Sequence, residues 1–237
     1  MHVEIRRDAE DAVRDAAELL GGWIQDRAVI RLMVAGGNTP LPLYEAVARK
    51  KLVVSHLRIS VLDEYVGVPK THPRNCTNLL RGAVGHGWGV PEESFFGLSS
   101  EEIDAEGAVL DHERRIVSEG GLDAIVLGLG KNGHLGFNEP GSGEESEARV
   151  LDLDSVSINA NRQWFGGEYA PARGATVGLR TILSARRVLL LAFGSAKADA
   201  VQAMLRGPRS PSCPASLLQD HPAACVFLDD LAAVGIT

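Results

Sequence analysis

Residues 122–140 read LDAIVLGLGKNGHLGFNEP, and the fold turns on how this stretch divides. From Ala124 to Leu129 it is apolar at consecutive positions rather than at alternating ones. A strand apolar on both faces is covered on both faces, as in a parallel sheet flanked by helices. The second half sets glycines at 128, 130, 133 and 136 around His134, with Asn132 before it and Glu139 after it. Open α/β sheets bind ligands beyond the carboxyl ends of their strands. The loop is therefore a candidate working edge, and a flexible glycine-rich turn is the bland alternative.

The same alternation repeats on either side. DAEDAVRDAAELLGGWIQ places Ala12, Val13, Ala16, Leu19, Leu20 and Trp23 on one helical stripe. AVIRLMVAGG reads as a buried strand ending in glycines, and TPLPLYEAVARKK as a helix with Pro40 in its first turn. LRISVLDEY is a second strand ending in acids, and IDAEGAVLDHERRIVSEGG is a helix with a glycine stop. RRVLLLAFG is a further strand, and ACVFLDD the last one. Between them SAKADAVQAMLRG reads as a helix with Ser195 as N-cap and Gly207 just past its end. The expected fold is a three-layer α/β domain over residues 1–237, with an open, mostly parallel sheet and helices on both faces.

Composition narrows the function. The 237 residues carry a net charge of −7, which argues against a nucleic-acid groove as the main surface. It leaves room for an anionic small substrate, because local donors outweigh a diffuse charge screened within about 8 Å. Cys76, Cys213 and Cys225 are odd in number and lack zinc-type spacing, as expected of reduced thiols in a cytoplasmic protein. MHVEIRRDAEDAV has charges where a signal peptide needs an apolar core, and no apolar run reaches membrane-spanning length.

Four strand ends carry unusual chemistry. Gly36, Gly37, Asn38 and Thr39 join a strand to a helix, where backbone amides can cradle a phosphate or sugar oxygens; an ordinary βα turn would look similar. Asp63 and Glu64 follow a buried strand, and since neighbouring strand residues face opposite ways, different roles are expected for them. A partly desolvated carboxylate there is a candidate general base, with a capping or ion-paired acid as the alternative. His134 with Glu139 suits a proton shuttle near neutral pH, while the other six histidines lack this setting. Lys197 begins a helix, where a cation is unfavourable unless an anion joins it, and Arg162 is a second candidate anion clamp. Each alone could be a surface residue; four on one rim are less easily coincidental.

At these residues the chain resembles the glucosamine-6-phosphate deaminase (isomerase) family, related more distantly to 6-phosphogluconolactonases. AGGNTPLPLY looks like the family's phosphate-sugar loop, LDEYVGVPKTHP like its Asp-Glu-Tyr segment, and GLGKNGHLGFNEPGS like its histidine signature. TILSARRVLLLAFGSAKADAVQAML and CPASLLQDHP resemble its lysine-bearing and closing segments, so the likeness spans nearly the whole chain. Tyr65 and GHLGFNEP match the deaminase branch, where lactonases typically show Asp-Glu-Arg and a different histidine loop.

The resemblance implies roles. Asp63 would move the C2 proton of an open-chain amino sugar to C1. His134, oriented by Glu139, would open the pyranose ring. Arg162, Lys197 and the backbone of Gly36 to Thr39 would hold the 6-phosphate. The products would be a ketose 6-phosphate and ammonia, with no metal and no organic cofactor. Asn132 stands where some members have Asp; as an amide it would orient His134 or sugar hydroxyls without adding charge. Leu151 stands about where allosterically activated hexameric members have a basic residue, and the chain lacks their longer C-terminal tail, which argues against both that activation and the hexamer. The resemblance leaves a monomer or another homo-oligomer, acting on a phosphosugar without nucleic acid or membrane. A galactosamine-6-phosphate-type deaminase, a 6-phosphogluconolactonase and a non-catalytic phosphosugar-binding protein are the competing readings.

Overall fold

Runs of consecutive apolar residues become parallel strands because each strand must feed two cores at once. In the computed structural model, which describes residues 1–27 and 29–236, seven strands form one all-parallel sheet. They are β1 (His2–Arg6), β2 (Arg31–Val34), β3 (Arg58–Val61), β5 (Phe95–Phe96), β6 (Ala124–Gly128), β9 (Val188–Ala192) and β10 (Ala224–Asp229). Their order across the sheet is β1-β10-β9-β6-β2-β3-β5. Ile125 and Leu127 of β6 enter one hydrophobic cluster, and Ala124 and Val126 enter the cluster on the opposite face. Leu190 and Leu189 of β9 divide in the same way. Each fully buried Leu or Ile contributes about 1.5–3 kcal/mol, so polar alternation at these positions would leave one face uncovered.

Helices cover both faces. Helix α1 (Ala9–Gln25) starts at Asp8, whose carboxylate accepts from Asp11 N, and it buries Ala12, Val13, Ala16, Ala17, Leu20, Gly21 and Ile24. The other helices are α2 (Leu41–Arg49), α3 (Cys76–Leu80), α4 (Ala105–Ser118), α5 (Ser155–Trp164), α6 (Leu179–Leu183) and α7 (Ala198–Arg206). No helix among the described residues is long and apolar enough to cross a membrane.

The chain order reverses direction between β2 and β6. From β2 the chain winds outward through β3 to β5, and from β6 it winds the other way through β9 to β10. A crevice opens at such a switch point, beyond the strand ends. The loops Gly36–Thr39 and Leu129–His134 stand on its two sides.

The structure departs from the sequence reading in four places. LRISVLDEY is not one strand: Leu62 ends the β3 run, and Asp63–Tyr65 forms β4 in a separate antiparallel sheet with β8 (Arg173–Thr176) and β7 (Arg149–Asp152). Leu62 still holds both sheets, its N–H donating to Val34 O and its carbonyl accepting from Val177 N. The N-terminal strand β1, disguised by its charges, pairs with β10 at the sheet edge. Ser195 does not cap α7; Ser195–Lys197 is a 3-10 turn, and Lys197 takes the cap position without its side chain capping the helix. The strand expected in AVIRLMVAGG is shorter than that run, and the first residue of the run, Ala28, lies outside the described residues.

Candidate active site

Four strand ends meet around one cavity of about 340 Å³. Gly36 to Thr39 form one wall, Asp63 and Tyr65 the floor, and Gly128 to Lys131 with His134 the opposite wall. Lys197 stands at one end, and Ser157, Asn161 and Trp164 of α5 close over it.

Asp63 is 8% exposed and accepts no hydrogen bond among the described residues. Burial first, and the Glu64 charge second, push its carboxyl up to about 7. Glu64, next in β4, points the other way and is fully buried. It accepts from Tyr65 N at 2.8 Å, Cys76 N at 3.0 Å and Thr77 N at 2.8 Å, so it ties the start of α3 to β4. Burial raises its carboxyl to about 7, against the pull of those backbone donors. The donors favour its ionised form, so within the pair Asp63 keeps its proton to higher pH. The adjacent acids thus hold different positions, as strand alternation requires.

The histidine loop is shaped by close packing. A Cβ built on Gly130 would meet the His134 ring at 2.4 Å, so only glycine lets the imidazole lie against the backbone there. Asn138 anchors the loop from below, donating to Leu135 O at 3.0 Å and Val177 O at 2.9 Å. His134 Nδ1 lies 3.3 Å from Glu139 Oε2 and 3.3 Å from Ser157 Oγ. With Nδ1 engaged, Nε2 is the nitrogen left for a ligand. Burial works against the charge of Glu139, but His134, Ser157 and Asn132 together outweigh it and hold the carboxyl below its ordinary value. Its Oε1 is buried without a hydrogen-bond partner among the described residues.

Asn132 reaches both His134 and Glu139. Its Nδ2 donates to Glu139 Oε2 at 2.7 Å, and its Oδ1 accepts from the backbone N–H of His134 at 3.3 Å. The amide therefore positions the carboxylate of Glu139 and the backbone of His134 together. An Asp at 132 would face Glu139 with an acceptor where the present residue has a donor.

Lys197 Nζ donates to Leu129 O at 2.5 Å. Burial first, then the neighbouring Lys131 charge, lowers its ammonium to about 8. The turn before it is pinned by Asp229, both of whose oxygens accept from Gly194 N at 2.9 Å. Gly37, at φ +98°, gives the opposite wall its turn. Tyr44 steadies that wall, its hydroxyl donating to Ala35 O at 2.8 Å.

Arg162 sits beside the cavity-lining residues of α5 rather than among them. It is exposed and outside the cavity wall, because the face of α5 toward the cavity is set by Ser157, Ala160, Asn161 and Trp164. Arg162 follows Asn161 by one residue, about 100° around the helix. All the other expected residues either line the cavity or touch one that does. Sequence reasoning missed Ser157, Trp164 and Lys131. The helical spacing of 157, 160, 161 and 164 was the available signal for the first two, but it needs the helix start to set its phase.

The model of the glucosamine-6-phosphate isomerase/6-phosphogluconolactonase family matches residues 6–227. A Streptomyces avermitilis protein named glucosamine-6-phosphate deaminase is 40% identical over 239 residues, covering 98% of this chain and 92% of its own length. One of the same name from Rhodopirellula baltica is 38% identical over 98% of this chain and 95% of its own length. Among solved structures, a monomeric glucosamine-6-phosphate deaminase superposes with a TM-score of 0.94 at 30% identity, over 99% of this chain and 100% of that one. A 6-phosphogluconolactonase from Trypanosoma cruzi shares the fold, with a TM-score of 0.80 at 20% identity over 100% of this chain and 97% of that one.

Proposed function

The chain belongs to the glucosamine-6-phosphate isomerase/6-phosphogluconolactonase family, and from that premise we propose that it is a glucosamine-6-phosphate deaminase, converting glucosamine 6-phosphate and water to fructose 6-phosphate and ammonia. The observation that carries the reading is Asp63: a buried carboxyl without a hydrogen-bond donor, held near 7, on the floor of a cavity shared with His134. A base that must take a carbon-bound proton near neutral pH needs this combination of reach and basicity.

In this reading His134, held at Nδ1 by Glu139, moves a proton to the ring oxygen as the pyranose opens. Asp63 takes the proton from C2 as the carbonyl oxygen O1 gains one from solvent, leaving an enolamine across C1 and C2. The same carboxylic acid returns the proton to C1, which gives a C2 ketimine. Water adds at C2, and the nitrogen leaves as ammonia. Glu139 offsets the positive charge on His134, and Asn132 holds Glu139 in place. Lys197 and the amides of Gly36 to Thr39 hold the phosphate, whose binding energy fixes C2 over Asp63.

The reading treats the chain as one deaminase/isomerase-like domain, supported by the pairing of its first and last strands within the main sheet. We place it in the cytoplasm as a monomer that engages neither nucleic acid nor membrane. The net charge of −7, the free thiols and the likeness to a monomeric deaminase support that placement.

Ammonia release from glucosamine 6-phosphate, with solvent deuterium appearing at C1 of the ketose, tests the reaction. Turnover of galactosamine 6-phosphate alone, hydrolysis of 6-phosphogluconolactone alone, or phosphosugar binding without product would each replace it with one of the competing readings.

A further inference from the structure

We propose that Glu64 is a positioning residue for Asp63, fixing with one carboxylate both the strand that carries the base and the charge that lies behind it. The inference rests on the deaminase reading above, in which Asp63 moves the C2 proton. Glu64 itself is fully buried and does not line the cavity.

The backbone around Asp63 needs an anchor. Strand β4 has only three residues and lies at the edge of its sheet, paired with β8 alone. A ladder this short holds a strand weakly. Leu62 fastens β4 on the side before Asp63. On the other side Glu64 turns away from the cavity and reaches α3. Its Oε1 accepts from Tyr65 N and Cys76 N, and its Oε2 accepts from Thr77 N. The next amide, Asn78 N, goes to the Asn75 side chain, so Glu64 and Asn75 between them satisfy the first turn of α3. Cys76 in turn lines the cavity, and its sulfur packs on Gly36, where a built Cβ would meet it at 3.3 Å. Glu64 thereby joins the strand of the base to the wall opposite the histidine loop.

The charge follows from the same placement. Adjacent strand residues point to opposite faces, so the two carboxyl groups sit back to back across β4. Tyr65 on β4, Tyr44 on α2 and Cys76 on α3 surround this buried side, and burial keeps all three neutral well past neutral pH. His134, with Glu139 behind it, faces Asp63 across the cavity, as do Lys131 and Lys197. Glu64 is the anion on the buried side, and it pushes the Asp63 carboxyl up, second only to burial. Its three backbone donors let it ionise while Asp63 still holds a proton. A base made stronger by a fixed neighbouring charge keeps its strength without contact between that charge and the substrate.

Two variants separate the anchor from the charge. Glu64→Gln keeps a carbonyl for Tyr65 N and Cys76 N, loses the contact to Thr77 N and removes the charge. Glu64→Asp keeps the charge but is one methylene too short to hold α3. Each is compared with wild type by the pH dependence of kcat/KM on glucosamine 6-phosphate. A carbon-13 titration of the Asp63 carboxyl, assigned by its absence in Asp63→Asn, gives a readout that needs no substrate. In Glu64→Gln the Asp63 titration and the acid limb of kcat/KM should move together to lower pH by about one unit, with KM within about twofold. In Glu64→Asp the acid limb should stay in place while kcat falls about tenfold or more, because the base is no longer held over C2. If Glu64→Gln does not fold, the wild type carries the test: its Asp63 carboxyl should titrate over a broader range than an isolated acid, because Glu64 ionises alongside it. An Asp63 titration unmoved in Glu64→Gln, an unchanged kcat in Glu64→Asp, or a wild-type titration as steep as that of an isolated acid would overturn the proposal. An Asp63 titration that moves as expected, in a protein whose wild type releases no ammonia from glucosamine 6-phosphate, would uphold the pair and overturn the functional reading instead.

Discussion

Replacing Asp63 with Asn should abolish turnover and make the protein more stable, increasingly so as pH rises. In the native state the Asp63 carboxyl is raised from 3.8 to about 7, chiefly by burial. Between those values the folded protein holds a proton that the unfolded chain has lost. Stability therefore falls as pH rises through that window, and the cost is complete above pH 7. A shift of about three units corresponds to roughly 4 kcal/mol at alkaline pH, at ~1.4 kcal/mol per unit. At pH 5 the same linkage leaves about 2 kcal/mol, so the gain in Asp63→Asn should grow by about 2–3 kcal/mol between pH 5 and pH 8. That increment is independent of how well the amide packs, since packing is common to both conditions. For a chain of this length, each 1 kcal/mol moves Tm by about 2–4 °C, so the increment is roughly 4–12 °C. Scanning calorimetry of both proteins at pH 5 and pH 8, with ammonia release measured in parallel, is the assay. A Tm difference equal at the two pH values, or a variant less stable at pH 8, would refute the claim that Asp63 is a desolvated base.

The remaining residues make separable predictions. Lys197→Ala should raise KM roughly 10- to 150-fold, the worth of a charge-assisted phosphate contact, as steady-state kinetics on the variant checks. Asn132→Asp sets a carboxylate against Glu139, so turnover should fall as pH rises and both acids ionise, and a pH profile superimposable on wild type would contradict that geometry. Ser157→Ala removes a neutral hydrogen bond to His134 Nδ1 worth about 0.5–1.5 kcal/mol. Its kcat should fall about two- to tenfold with KM little changed, as measured by initial rates over a substrate series.

The sequence by itself determined the main sheet and most of the rim. Buried parallel strands need apolar residues on both faces, so Ala124–Gly128 and Val188–Ala192 announce themselves locally, and the glycines and acids that end such runs mark the ligand edge. Asp63, His134, Glu139 and Lys197 could be picked out on that basis. The antiparallel sheet could not, because β4, β7 and β8 have only three or four residues each, too few to show a period. The split of LRISVLDEY depends on Leu62 bonding to Val34 and Val177, partners 28 residues before it and 115 after. Arg162 and Ser157 lie five residues apart on one helix, and only the packing of α5 decided which of them faces the cavity. Asn132 shows the same division at one residue. It stands two residues before His134 and accepts from its backbone, but its amide also reaches the carboxylate of Glu139, seven residues on, because the loop folds back where glycine at 130 admits the imidazole. Residue type and strand pattern are local properties and are legible in order along the chain. Which side chain meets which is fixed by helix phase and loop closure, and those are settled only when the elements pack.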